Sequence, residues 1–467
     1  MPPADGEMQP EIESVAVIGA GPCGLAAAKY LVAERKFTKI EIFEQRDTVG
    51  GVWAYSPLNI VDNNFTIPRT EPSQDPDTAV KVEGKGAPEF VSPVYESLET
   101  NIPHVLMNYS DQKFPDESAL FPPHAAVKEY LEAYAASLKP VLSLSTQVLN
   151  AAKVNDGTQS RWEIEVLDLV SGTRRKSFFD AIFVASGHYN DPFIPDIAGL
   201  ADFSKAYPRS KVVVVGNSAS GIDLSIQISS VAQRPVVVSE KAASNTTSDE
   251  NTELKMAPEI VQFVPNGRTL HFSDGTEESN VDSVVFCTGY FYTYPFLRSL
   301  SPPVTSTGSH VQHLYEQILY IDDPTIAFIG VPQRIVPFPV AQAQSAWVAR
   351  IWAGRLTFPP TSQMRAWESE TYKDGNMGKS VHNLAFPKDV NYINKLHDWS
   401  LAAAKRDGLE NDGAGKMPPY WDSKAAWTRE RFPLIKAAYR GYGGRKQDLK
   451  TIEDLGFIYE GSGGGRL

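Results

Sequence analysis

The sequence predicts an α/β protein: two Rossmann-like dinucleotide-binding domains, the second inserted in the first, with a helical C-terminal region. Three observations predict it. An apolar run, a glycine-rich turn and a helical stretch succeed one another over residues 14–31. The same succession returns over residues 212–229. Two further apolar strands end in small residues, 180–187 and 282–290, as expected where a bulky side chain would collide with a bound nucleotide. Two such strands suggest two nucleotide-binding sheets, one nested in the other.

The first element, Ser14-Val15-Ala16-Val17-Ile18, is apolar enough for a buried parallel strand. It turns on Gly19-Ala20-Gly21-Pro22-Cys23-Gly24 into a helix from Leu25. Gly19 permits the tight turn, Gly21 lets the backbone approach a pyrophosphate, and Gly24 lets helix and strand pack closely. The start of the helix offers free N–H groups to the phosphates. A second apolar run, residues 39–43, ends on Glu44, where a carboxylate would grip ribose hydroxyls. The paired glycines Gly50 and Gly51, followed by Val52 and Trp53, allow a loop to lie against an extended cofactor under an aromatic cover.

Gly19 to Gly24, Glu44 with Arg46, and Gly50-Gly51-Val52-Trp53-Ala54-Tyr55-Ser56 together resemble the FAD site of the flavin-containing monooxygenases, fungal members especially. The resemblance implies FAD contacts at Gly19, Ala20, Gly21, Pro22, Cys23, Gly24, Glu44, Gln45, Arg46, Gly51, Val52 and Trp53. It also implies a layout: an FAD domain in two parts, residues 1–205 and 291–467, and an NADP domain at 206–290.

Composition narrows the function. A chain of 467 residues can hold two or three domains with real cores, and 42% hydrophobic with 21% charged residues is ordinary for a globular protein. A formal charge of −12 argues against nucleic acid as a partner. The two cysteines, Cys23 and Cys287, form neither a CxxC pair nor a metal-ligand spacing, and Cys23 is expected to fill a tight turn. Residues 1–13 lack the apolar stretch of a secretory leader, and no apolar run reaches membrane length. A cytoplasmic enzyme without a membrane anchor is expected; its oligomeric state is left open.

Further along, residues 59–86 read as an irregular excursion. Thr100-Asn101-Ile102-Pro103 resembles a family segment ending in Met107, and Asn101 is the candidate catalytic residue, its amide able to donate and accept near the flavin. Residues 125–138 read as a helix with Val127, Tyr130, Leu131 and Tyr134 inward, and His124 as its start. Residues 143–148 read as a strand, on which Val148 is expected to touch the cofactor, as Thr100 is.

The second fingerprint is Gly216-Asn217-Ser218-Ala219-Ser220-Gly221, with Ser218 in place of the middle glycine. All six positions resemble the family's NADP site. The strand after it ends Ser239-Glu240-Lys241: Ser239 and Lys241 suit the 2′-phosphate of NADPH, whereas Glu240 suits a bare ribose. The resemblance favours NADPH. Asn266-Gly267 predicts a type I′ hairpin turn. His310 and His313 are expected at the surface, since no third metal ligand lies near. Residues 325–330 read as a strand, and residues 337–344 lead into a helix on which Gln344 matches a family position. There the family has an acid two places earlier, and this chain has Gln342. Trp367, Tyr392, Trp399 and Trp421 are expected to pack a helical region.

One family feature is missing. A linker of the form Phe-x-Gly-x-x-x-His-Ser-x-x-Tyr-Arg should precede the second fingerprint, yet no histidine occurs between His188 and His271. The resemblance implies a monooxygenase that takes electrons from NADPH and oxygen from O2 to oxygenate nitrogen, sulfur or carbon of a small-molecule substrate. The alternatives are an NAD(P)H-dependent flavin reductase or oxidase, and an impaired FAD-binding protein. The cofactor carries the chemistry in such enzymes, so no metal site is expected.

Overall fold

The computed structural model describes residues 10–57, 67–155, 160–200, 211–241, 253–373 and 378–461. The chain divides into two compact units: Met1–Leu58, Ser73–Asn190 and Tyr292–Leu467 form one, Asn59–Pro72 and Asp191–Phe291 the other.

The larger unit is built on a seven-stranded sheet. Its centre is parallel: Ser14–Ile18 lies between Lys39–Phe43 and Ala181–Val184, with Val15 opposite both Ile40 and Ala181. Ile326–Phe328 extends the parallel run, and Leu319–Tyr320 and Leu314–Tyr315 close that edge antiparallel. Both faces are covered, so Ser14–Ile18 and Ala181–Val184 are buried at every residue, as their unbroken apolar sequences require. Helix Pro22–Ala33 and the almost wholly buried helix Pro337–Trp352 share one core with Val127, Tyr130, Leu131 and Tyr134. Tyr392 and Trp421 lie in that core, and Trp367 and Trp399 pack against it.

Three sequence expectations change locally. The helix begun at His124 ends at Ala135 and continues as a 3-10 turn to Val141, because Pro140 has no N–H to extend the α pattern. The strand expected at 143–148 is two strands. Ser145, at φ 49°, turns the chain from Leu142–Ser143 in the parallel sheet into Thr146–Asn155, which pairs antiparallel with Ser160–Asp168. His310 is buried, its ring nitrogens within hydrogen-bond distance of the Ser309 hydroxyl and the Gln312 amide.

The smaller unit holds a four-stranded parallel sheet, ordered Leu254–Ala257, Val236–Ser239, Val212–Val215, Ser283–Phe286, with helix Ala219–Ser229 after the second glycine-rich turn. A hairpin of Ile260–Val264 and Thr269–Phe272 packs beside it. Its turn is not type I′: Arg268 N–H bonds the Pro265 carbonyl, and of the two central residues Gly267 alone has positive φ, the type II pattern. This unit begins at Asp191, ahead of the expected residue 206, and takes in part of the irregular excursion. The reason is local: Arg69 and Ile194 exchange both backbone hydrogen bonds, and the Arg69 guanidinium pairs with Asp191. The position of the missing linker, residues 201–210, lies outside the described residues.

Candidate cofactor and active site

The first fingerprint folds as its glycines dictate. Gly19 has φ +102°, and a Cβ there would stand 2.5 Å from the Ala185 carbonyl oxygen; one on Gly24 would stand 1.9 Å from the Gly19 oxygen. Gly21 differs. Its nearest neighbour would be the Gly51 Cα at 3.5 Å, an ordinary contact, so folding alone does not demand glycine there. Gly51, at φ +58°, faces it in turn, and Gly50 N–H holds this loop to the Ala20 carbonyl at 2.9 Å. Two glycine backbones thus line a cradle at the start of helix Pro22–Ala33, whose N-terminus has no side-chain cap. Free N–H groups, a positive helix end and no side chain in the way fit a pyrophosphate.

Glu44 sits at the strand end, buried. Its carboxylate accepts from Ala20 N–H at 2.7 Å and Arg46 N–H at 2.9 Å, while burial raises its pKa. It is placed to take a ribose hydroxyl, since each carboxylate oxygen has lone pairs to spare. Its neighbours do otherwise. Arg46 donates to the Phe90 and Val91 carbonyls, and the Gln45 amide to Asp77 at 2.9 Å, so both help shape the loop wall. Val52 is fixed through its carbonyl by the Ser92 hydroxyl, and Trp53 packs on the core. Val148 buries its side chain in the second core of this unit, so only its backbone could meet a ligand. Cys23 is a packing residue: burial pushes its thiol up to about 12.

Residue 100 is held from every side. Thr100 N–H bonds the Pro122 carbonyl, its hydroxyl the Ile102 carbonyl at 2.9 Å, and its carbonyl accepts from Lys436 at 2.7 Å. Asn101 next to it is half-buried, and its amide makes no hydrogen bond among the described residues. Gln344, expected at the cofactor, is fully buried; its oxygen accepts from Gly330 N–H at 2.9 Å and its nitrogen donates to Tyr392 at 3.0 Å. It holds the Gly330 turn through that bond.

Two residues escaped the sequence reading. Ser186 and His188 line a small cleft with Val184, Tyr294, Ile329, Gly330 and Val331, and Ser186 Oγ and His188 Nε2 are buried without a hydrogen-bond partner among the described residues. Burial, with Lys379 nearby, holds His188 neutral down to about pH 4. The signal was their place just beyond the carboxyl end of strand Ala181–Val184, where open α/β sheets bind ligands.

The second fingerprint repeats the first. A Cβ on Gly216 would meet the Cys287 oxygen at 2.5 Å, and one on Gly221 the Gly216 oxygen at 1.9 Å. Ser218, Ala219 and Ser220 are exposed at an uncapped helix start, which fits a second pyrophosphate. Asn217 donates its amide to Glu240 at 3.1 Å. The Ser239 hydroxyl is buried and donates to the Pro258 carbonyl at 2.8 Å. The Lys241 side chain is 80% exposed, its ammonium 3.8 Å from the Glu259 carboxylate.

Likeness to known proteins agrees with this geometry. The family described as flavin-binding monooxygenase-like matches residues 83–253 and 248–409, and an NAD(P)-binding Rossmann-like domain matches 17–68. The thiol-specific monooxygenase of Saccharomyces cerevisiae is 31% identical over 439 residues, 88% of this chain and 89% of that one. The flavin-containing monooxygenase FMO GS-OX3 of Arabidopsis thaliana is 31% identical over 95% of this chain and 97% of its own. The solved S-allyl-L-cysteine S-oxygenase from Allium sativum matches with a TM-score of 0.71 at 25% identity, covering 95% of this chain and 96% of that one.

The chain therefore belongs to the flavin-containing monooxygenases. It is an enzyme that uses FAD, NADPH and O2 to oxygenate a small molecule. Among the described residues no helix is long and apolar enough to cross a membrane, and no group of His, Cys, Asp and Glu could hold a metal ion.

Proposed function

We propose that this enzyme oxygenates a nucleophilic sulfur of a small cytoplasmic thiol or thioether. The observation that carries the site assignment is the contrast at residues 100 and 101: a fully anchored backbone beside a half-buried amide that has no partner among the described residues. Two of the relatives bear names that specify sulfur chemistry, which favours sulfur over nitrogen or carbon here. When bound, FAD with NADPH would supply the redox chemistry for placing one oxygen atom of O2 on the substrate and the other in water. The rest falls to the protein. Gly19 to Gly24, Gly51 to Trp53 and Glu44 would hold FAD along its pyrophosphate and ribose, and Asn101 would order the groups at the flavin edge. Gly216 to Gly221 would hold the NADPH pyrophosphate and Lys241 its 2′-phosphate. Neutral Ser186 and His188 offer hydrogen bonds without a charge in the cleft beside Gly330. The test is NADPH consumption and oxygenated product measured together on matched thiols, thioethers and tertiary amines. Sulfoxide, sulfenate or disulfide products in step with NADPH support the reading; turnover of the amines alone would sink it.

A further inference from the structure

We infer that Lys436 is a positioning residue for the oxygenation reaction, acting through Asn101, on the C-terminal helix more than 300 residues downstream of it. The inference rests on the reading of Asn101 as the group at the flavin edge.

The helix Ser423–Gly441 lies against the core by a face that includes Thr428, Arg429, Ile435, Lys436 and Tyr439. Burying a lysine ammonium is costly unless polar partners compensate it, so buried lysines are rare where packing is the whole task. Lys436 is 6% exposed, and what it meets is specific: the Thr100 carbonyl at 2.7 Å, and the rings of Phe121 at 4.2 Å and Tyr439 at 5.0 Å. The carbonyl is half of the peptide group whose other half is the Asn101 N–H. A charge-assisted bond to it fixes the plane of that peptide and with it the direction in which the Asn101 side chain leaves the backbone.

The surrounding contacts hold the helix in place. Tyr439, one helical turn on, donates to Glu99 at 3.2 Å, and Glu99 bridges to Pro123. Arg429 anchors the helix by pairing with buried Asp389 at 2.5 Å and donating to the Arg334 carbonyl at 2.8 Å. Ile435 and Tyr439 share a small core with Leu120, Phe121, Leu449 and Ile452. The helix is thereby held by contacts other than those of Lys436.

The experiment compares wild type, Asn101→Ala, Lys436→Met and the double variant, each loaded with FAD. It reads product formed per NADPH oxidised, peroxide released, FAD content, and the absorbance band of the bound flavin. Lys436→Met should lower product per NADPH three- to tenfold, with peroxide making up the difference and FAD content unchanged. Its flavin band should shift as that of Asn101→Ala does. In the double variant Lys436→Met should add nothing, since a residue acting through another has no effect once that other is gone. Lys436→Gln, which keeps a donor near the carbonyl, should recover part of the loss and serves if the methionine variant does not fold. Tyr439→Phe removes the neighbouring hydrogen bond and should leave coupling intact. Losses that multiply in the double variant, or a Lys436→Met enzyme coupled like wild type, overturn the inference alone. A silent Asn101→Ala overturns the reading beneath it, and the inference with it.

Discussion

At the scale of the residue, the two fingerprints separate glycines that the fold needs from one, Gly21, that packing leaves free to carry a side chain. Gly24→Ala would push a methyl to 1.9 Å from a backbone oxygen, so it should cost several kcal/mol and lower the melting temperature of the apoprotein. Gly21→Ala meets nothing closer than 3.5 Å. It should melt like wild type yet lose FAD, because its methyl occupies space the pyrophosphate needs. Calorimetry and FAD content together decide; an unstable Gly21→Ala, or one with full FAD occupancy, contradicts the assignment. These glycines were legible in the sequence because φ and contact requirements act over a few residues. Arg46, Ser239 and Gln344 were not. Their types suit a cofactor, but their partners Phe90, Pro258 and Gly330 come from elsewhere in the chain, and spacing does not disclose them.

A second residue-scale expectation concerns pH. His382 is buried; its Nε2 accepts from Val311 N–H and its Nδ1 lies 2.9 Å from the Gln317 oxygen, so the neutral ring is the one that fits. Burial lowers its pKa to about 3, below the unfolded value of about 6.5. The unfolded chain therefore binds the extra proton first. Stability contributed by this ring is whole above about pH 6.5 and is lost as pH falls, by about 1.4 kcal/mol per unit, until about pH 3. Urea denaturation across that range should show the slope, and His382→Gln should make it shallower.

At the scale of the element, what holds the first helix was hidden. Pro22–Ala33 ends on Glu34, whose carboxylate is gripped by Arg355 at 2.9 and 3.0 Å, both side chains at most 3% exposed. Arg355 also donates to the Ala404 and Ala414 carbonyls, which ties the segment after the helix Lys388–Leu401 to the end of the helix Pro22–Ala33. Breaking one partner strands a buried charge. Arg355→Met should cost about 3–5 kcal/mol, while adding Glu34→Leu should return much of it. Equal melting temperatures for the single and double variants would show that the pair is not what matters. Helix and strand positions followed from apolar periodicity, since burial on one or both faces is written along the chain. The clamp was not legible, because it joins residues 321 apart.

At the scale of the whole molecule, the nesting of two nucleotide-binding sheets was legible from order alone: strand, turn and helix twice, each with its later strand. The extent of the inserted unit was not, because pairing of Arg69 with Ile194 and Asp191 draws a distant stretch into it. The remaining large-scale question is the absent linker. In the family pattern it would carry an aromatic cover and a cation directed towards the 2′-phosphate. Here Ser210 runs directly into Lys211 and the strand Val212–Val215. The turn Gly216 to Gly221 keeps its backbone donors, so pyridine-nucleotide affinity should persist. One charge-assisted contact fewer weakens NADPH by about 1.5–3 kcal/mol, enough to bring it near NADH, and Glu240 at the strand end disfavours the phosphate further. Without that cover the site would also admit water, which would divert electrons from product to hydrogen peroxide. The chain should therefore show a low NADPH to NADH preference in kcat/KM and release peroxide with much of the NADPH it consumes. Inserting the Phe, Gly, His, Ser, Tyr and Arg pattern between Ser210 and Lys211 should raise both selectivity and product yield. Tight NADPH selectivity with product equal to NADPH consumed in the unaltered chain would mean that residues already present do the linker's work.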